Sequence, residues 1–403
     1  MSERMIFHLD RLRGRAVVRD PDEHHRVSTP LELFFDLTFV VAVGRASAAL
    51  HHELAAGDIS RALWGFAATF FAVWWAWMNF TWFASAHDSD DVAFRLLAFV
   101  QMAGVLVLAS GVTRVVEHGD LKVCTIGYLI MRLGYVAGWL RVARDEPQMR
   151  RRAIRYAGAV TALQVVWLLR LALTGTAGAI GFVVLALAEI SIPMWVGRTV
   201  NETPFHAHHI EERYGLFTIL VLGEAILAAT AGFQTALDAG GLTSELLVVG
   251  LSGLVLAFTS WWIYFDHPGH LTPTPAIAYR WGYGHVLIFM SLAALGAGVQ
   301  VAIEALTGHG AARTAALAVA APAAAFPLGL SLLMMLNGMR PSDERVWPKL
   351  AGVVAMLLLG LVASVPVAVA GCAAVMAVLA GTMILSSPVP VHGHATQVDL
   401  ERS

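Results

Sequence analysis

Five ionisable side chains stand inside long apolar runs of this sequence: Asp36, Arg45, Arg132, Glu189 and Glu224. A charge at mid-bilayer costs roughly 3 kcal/mol or more unless it is paired or hydrated, so each marks a candidate solute or proton pathway. Arg45 and Glu224 both lie about fifteen residues into their runs, the first and the seventh. At 1.5 Å per residue both sit roughly 22 Å along the axis. They are expected to face each other, either as a structural ion pair or as a solute or proton site gated by breaking that pair. Asp36 with Arg132 is a second candidate pair. Glu189 shows no evident partner and is the expected single proton carrier, with Ser191 or a tryptophan as an alternative hydrogen-bonding neighbour.

Further titratable groups gather where the runs begin and end. In His206-Ala207-His208-His209-Ile210-Glu211-Glu212, His208 and Glu212 share a helix face, as do His209 and Glu212. Such spacing can hold a divalent metal, and His267 at the end of the eighth run is a fourth candidate ligand. The competing readings are plain capping of the helix dipole by acids and a pH-responsive histidine cluster. Glu32, His87, Asp88, Asp90 and Asp91 occupy similar places in the first half. Trp74, Trp75, Trp77, Trp82, Trp261 and Trp262 read as an interfacial belt, with a stacking site for a cationic or ring-shaped solute as the alternative.

The elements that must position these groups follow from composition. Hydrophobic residues make up 57% of the 403 residues and charged ones 14%, with a mean hydropathy of +0.66. A soluble chain carries roughly 25% charged residues, and a single core stops growing near about 300 residues. The expected fold is therefore an all-α, polytopic transmembrane bundle with the lipid bilayer as its partner. A net charge of −2 excludes a global basic field for nucleic acid. Cys124 and Cys372 lie in apolar runs and read as small buried side chains rather than a disulfide or metal signature.

About 20 apolar residues cross a bilayer as a helix. On that basis spans fall near 30–52, 61–84, 92–116, 121–144, 152–173, 176–197, 209–233, 243–266, 279–306, 312–338, 346–368 and 370–387. Pro366 and Gly371 leave open one long kinked hairpin in place of the last two. The opening segment, with six arginines and no apolar stretch long enough for a cleaved signal, leads into a retained first span. Arginines also crowd the fourth-to-fifth connection (Arg141 to Arg155), and Arg340, Arg345 and Lys349 the tenth-to-eleventh. With alternating spans these fall on one side, which predicts cytoplasmic termini in a multi-pass cell-membrane protein.

An internal repeat organises the spans. Glu32, Leu37, Gly44 and Ala46 align with Glu211, Leu216, Gly223 and Ala225, Trp74-Trp75-Ala76-Trp77 with Trp261-Trp262-Ile263-Tyr264, and Phe94-Arg95 with Tyr279-Arg280. Six spans per repeat is an even number, so both halves enter the membrane in the same direction, the parallel-repeat arrangement of some transporters. The expected division is a segment 1–29, repeats 30–197 and 198–387, and a tail 388–403.

The same residues carry a resemblance. Thr29-Pro30-Leu31-Glu32-Leu33-Phe34-Phe35-Asp36-Leu37-Thr38-Phe39-Val40 resembles the opening motif of the bacterial low temperature requirement A membrane protein family. Glu212-Arg213-Tyr214-Gly215 through Gly223-Glu224 resembles its central motif, and Trp261-Trp262 through Asp266 the one that follows. Pro30, Glu32, Phe35, Asp36, Glu212, Arg213, Tyr214, Gly215, Gly223, Glu224, Trp262 and Asp266 are the matching positions, and Arg45 inherits no role. The likeness runs from about residue 27 to 387 and implies a multi-span bacterial inner-membrane protein; the family name records a growth phenotype, not a reaction. Phe34-Phe35-Asp36 is also similar to the Phe-Ser-Asp signature of a potassium channel family.

The leading expectation is a secondary transporter or permease for a small solute or ion, using buried charges between the repeats. The alternatives are an ion channel, or a membrane-embedded enzyme with a His/carboxylate metal site. No Gly-rich phosphate loop, Ser/His/Asp signature or HExxH motif supports the enzyme.

Overall fold

The computed structural model describes residues 14–20, 23, 26–199, 205–266, 271, 274–308, 310–340 and 346–385. His267, Arg345, most of the opening segment and the tail 388–403 lie outside them. The described residues form twelve α-helices and no strand: α1 (Pro30–Ala56), α2 (Ile59–His87), α3 (Val92–His118), α4 (Lys122–Asp145), α5 (Arg150–Arg170), α6 (Gly175–Thr199), α7 (Ala207–Gly240), α8 (Ser244–Phe265), α9 (Pro275–Leu306), α10 (Ala312–Leu336), α11 (Val346–Val362) and α12 (Val365–Ile384). Nine of them, all but α2, α5 and α11, are long and apolar enough to cross a membrane.

Local chemistry sets the ends. Thr29 and Glu32 form a capping box: the Thr29 hydroxyl accepts from Glu32 N at 3.3 Å, and the Glu32 carboxylate accepts from Thr29 N at 2.8 Å. Pro30 follows at the first helical position, where its missing N–H costs nothing. Gly57 ends α1 in the left-handed region at φ 87°, which a side chain there would resist. Asp58 and Asp91 cap α2 and α3, their side chains accepting from Arg61 N and Phe94 N.

The last two helices differ from expectation in one respect. They are separate, but the break falls at 363–364 rather than 369, and Pro366 sits in the first turn of α12 instead of inside the eleventh span. Extended backbone at Ser364 (φ −67°, ψ 160°) makes the turn. The proline ring then starts α12, a position it tolerates. The 17 residues of α11 rise about 25 Å.

Small residues let the backbones approach. A Cβ on Gly104 of α3 would lie 2.6 Å from the backbone N of Met131 on α4, and one on Gly134 of α4 would lie 2.9 Å from the Leu97 carbonyl of α3. On α9 a Cβ at Gly298 would collide with the Ala318 carbonyl of α10. Within the first six helices α1 packs on α2 and α3, α2 on α3, α3 on α4, α4 on α5 and α5 on α6. Within the last six α7 packs on α8 and α9, α8 on α9, α9 on α10, α10 on α11 and α11 on α12, and α12 folds back on α8, α9 and α10 as well. The two groups meet where α1 packs on α7 and α9. α2 is sheltered on all sides from Val73 to Thr81, so its polar and aromatic groups must find partners within the protein.

Candidate functional site

The first charge centre lies on the α1–α7 seam. Glu32 and Asp36 are four residues apart on α1, and His209 and Arg213 four apart on α7, so each pair shares a helix face. Arg213 forks onto Asp36: Nη2 lies 2.5 Å from Oδ1, and Nε donates to Oδ2 at 2.9 Å. Its Nη1 lies 3.1 Å from Glu32 Oε1, and His209 Nε2 lies 3.1 Å from the same oxygen. All four side chains are fully buried. The indole N–H of Trp77 donates to Asp36 at 2.6 Å. Trp77 stacks on Phe217, and Tyr214 and Phe289 close the pocket edge-on. Asp36 is about 9 Å along α1 from its first residue.

The network continues to the end of the bundle where α1 begins. Arg26 Nη2 lies 3.6 Å from Glu32 and 3.7 Å from Asp88. Asp88, just beyond α2, has its carboxyl raised to about 6, first by burial and then by the Glu32 charge. Three carboxyl groups, two guanidinium groups and one imidazole thus form one buried cluster. A single proton on Asp88 or His209 brings its net charge to zero.

The second charge centre lies within the first six helices. Glu189 on α6 accepts hydrogen bonds from the Trp75 indole (3.0 Å), Gln164 (3.1 Å) and the Trp167 indole (3.3 Å), and Arg132 on α4 lies 3.4 Å away. Arg132 also donates to the Tyr128 hydroxyl and stacks over its ring. Both charges are fully buried. Such a carboxylate is held by four donors rather than by solvent, which is what makes its burial tolerable.

A cavity of about 90 Å³ lies among the ends of α2, α4 and α6 and the starts of α5 and α9. Trp82, Phe83, Tyr135, Trp139, Tyr156, Phe205, Tyr279 and Tyr283 line it, with Asn79 and Arg152 as its polar members. The Trp139 and Tyr156 rings stack at 4.5 Å, and the Arg152 guanidinium lies over the Tyr156 ring. The cavity wall is linked to both charge centres through intervening aromatic side chains. Trp82 donates to the hydroxyl of Tyr214, the neighbour of Arg213, and Tyr283 packs edge-on against Trp75, the donor to Glu189. Tyr283 and Tyr279 donate to the α6 carbonyls of Ile190 and Pro193, joining α9 to the helix that Pro193 interrupts.

Several expectations change here. Asp36 pairs with Arg213, not Arg132, and Arg132 serves Glu189, which therefore has a partner. No ion pair among the described residues joins Arg45 to Glu224. Arg45 is on the exposed face of α1, while the half-buried Glu224 carboxylate lies against Gly44, where a Cβ would collide with it. Ser191 bonds the Leu187 carbonyl rather than Glu189. Trp74, Trp75 and Trp77 are core residues, not belt residues; Trp261 and Trp262 are exposed.

Of the candidate metal ligands, His209 turns to Glu32, Glu212 accepts from Ser28 N at 3.1 Å, His208 is exposed, and His267 lies outside the described residues. Among the described residues no three His, Cys, Asp or Glu side chains are grouped to hold a metal. Of the other motif residues, Pro30 opens α1, Phe35 stacks on Phe39 and Phe80, and Gly215 admits the Phe265 ring. Gly223 faces open space, and Asp266 ends α8.

The tryptophan expected beside Glu189 is found twice, in Trp75 and Trp167, whereas sequence reasoning missed Trp77 as donor to Asp36, Gln164 and the cavity. One signal was present: Trp74 to Trp77 stand ten or more residues before the end of α2, about 15 Å from it, too deep for a belt.

A profile of the bacterial low temperature requirement A protein family matches residues 27–386. A curated relative, the uncharacterized protein RA0937 of Rhizobium meliloti (strain 1021), is 26% identical over 275 residues, which cover 64% of this chain and 65% of the relative. No solved structure matches.

Proposed function

This chain belongs to the bacterial low temperature requirement A family, and we propose that it is a secondary transporter whose solute crosses at the junction of two parallel six-helix repeats. The observation that carries this reading is a cavity whose aromatic wall is linked to both buried ion pairs: Tyr283 packs on Trp75, a donor to Glu189, and Trp82 donates to Tyr214, which packs on Trp77, the donor to Asp36. A fully buried ion pair is a poor stabiliser compared with well-packed apolar side chains, whereas a pair that breaks and remakes suits a switch. Asp36–Arg213 spans the α1–α7 seam, which must shift if the halves rock. The aligned motifs at the starts of α1 and α7 support the repeat 30–197 and 198–387, and the packing matches it in part, since α12 also packs on α8 and α10, contacts without a counterpart at α6 among the described residues. The arginines between α4 and α5 and in the opening segment support cytoplasmic termini.

Cavity chemistry narrows the solute. One guanidinium, one amide and a wall of rings suit a small planar oxyanion. At about 90 Å³ the cavity is below the ~150 Å³ that holds benzene, which favours acetate- or nitrate-sized solutes. The test is electrophysiology on proteoliposomes adsorbed to a solid-supported membrane, with acetate or nitrate concentration jumps. Saturable transient currents that disappear in Arg152→Gln and Asp36→Asn are expected. Sustained currents linear in concentration would instead indicate a pore, and saturable currents unchanged by either substitution would place transport elsewhere.

A further inference from the structure

Arg45 stands at the sixteenth residue of the 27-residue α1. It sits in an exposed stripe of Phe34, Leu37, Val41, Ala48 and His52, spaced three and four apart. Phe34, Leu37 and Val41 are about half exposed, so this face is apolar and uncovered by the rest of the chain. On α7, Ile219, Gly223, Leu227, Thr230 and Gln234 make a similar exposed stripe. Glu224 borders it, and its carboxylate rests on Gly44, the residue before Arg45. One face of the bundle therefore carries a cation and an anion at the same depth, without an ion pair between them.

We propose that two copies of this chain pair in the membrane through these faces of α1 and α7, Arg45 of each copy binding Glu224 of the other. A guanidinium at this depth is too costly to leave against acyl chains. A two-fold axis along the membrane normal preserves depth, so it brings a charge onto an opposite charge only when both lie at one level, as Arg45 and Glu224 do. The contact is self-complementary: each copy offers one donor and one acceptor, and two pairs form. Gly223, exposed and facing open space, keeps the α7 surface flat enough for close helix approach.

The test uses the full chain with two different tags. Arg45→Glu alone and Glu224→Arg alone each place like charges in both pairs. Each should lose self-association at least about tenfold, the change for about 1.4 kcal/mol. Co-expressed, the two variants form opposite pairs at both positions, so mixed-tag co-purification should return to the wild-type level. Subunit counting of the wild type in bilayers by single-molecule photobleaching should give two bleaching steps, which holds even if a variant fails to fold. Single bleaching steps for the wild type, or self-association intact in both single variants, would overturn the proposal. So would rescue by both substitutions in one chain but not by mixing, because that outcome places the pair within a single copy.

Discussion

Replacing Asp36 with alanine should unfold this protein more readily than almost any other single side-chain truncation. The substitution leaves the Arg213 guanidinium fully buried, with Glu32 at 3.1 Å as its remaining carboxylate. Removing one member of a buried pair costs roughly 3–5 kcal/mol. Glu32 offsets part of this, so about 3 kcal/mol is expected for the charge, and the lost acceptor of the Trp77 indole adds about 1 kcal/mol. The folded-to-unfolded ratio should fall by roughly a thousandfold. SDS titration of the protein in mixed micelles, followed by tryptophan fluorescence, measures it. The double variant Asp36→Leu with Arg213→Leu leaves no buried guanidinium there, and should cost at least about 2 kcal/mol less than the two single losses combined. Single costs below about 1 kcal/mol, or costs that simply add, would refute the pairing.

Other outcomes follow from the same geometry. Glu189→Ala strands Arg132 and three further donors and should cost about 3–5 kcal/mol in the same titration, whereas Glu189→Gln, which keeps an acceptor for the indoles, should cost clearly less. A Cβ at Gly127 would meet the backbone of Gly104 and Leu108, which cannot yield, so Gly127→Ala should destabilise by about 1–3 kcal/mol; Gly158→Ala, facing open space in α5, should be neutral or stabilise by up to about 1 kcal/mol. The raised carboxyl of Asp88, at about 6, means that the folded state binds a proton that the unfolded chain has already released. Stability should therefore fall by about 3 kcal/mol as pH rises from about 4 through 6, then level off. Arg19, Arg26 and Glu32 are the charges around it. Asp88→Asn should remove that decline in thermal unfolding scans.

Much of the fold is legible in the chain because length and apolarity are local. Thr29-Pro30 and Asp58 announce where α1 starts and α2 follows, and the lipid requirement for some 20 apolar residues does the rest. Pro366 misleads because a proline ends a helix or begins one with equal ease. The ion pairs are less legible. Asp36 and Arg213 are 177 residues apart, and which faces of two distant helices meet depends on their rotation, which no spacing along one helix encodes. Glu189 shows no charged partner in the sequence for a related reason: Arg132 stands 57 residues away, and of its uncharged donors only the tryptophans could be anticipated, not Gln164. The tryptophans of α2 followed the interfacial rule on sequence and broke it in the fold, because buried carboxylates at Asp36 and Glu189 need N–H donors and indoles supply them without a second buried charge.

Accessibility of Ala278, a buried residue lining the cavity, tests the central claim most directly. In an Ala278→Cys variant with Cys124 and Cys372 replaced by alanine, a membrane-impermeant maleimide would be applied to each side of oriented vesicles in turn. A cavity that alternates between the faces predicts labelling from both sides, with Arg213→Gln shifting the ratio of the two rates. Labelling from one side alone, unchanged by Arg213→Gln, would contradict it.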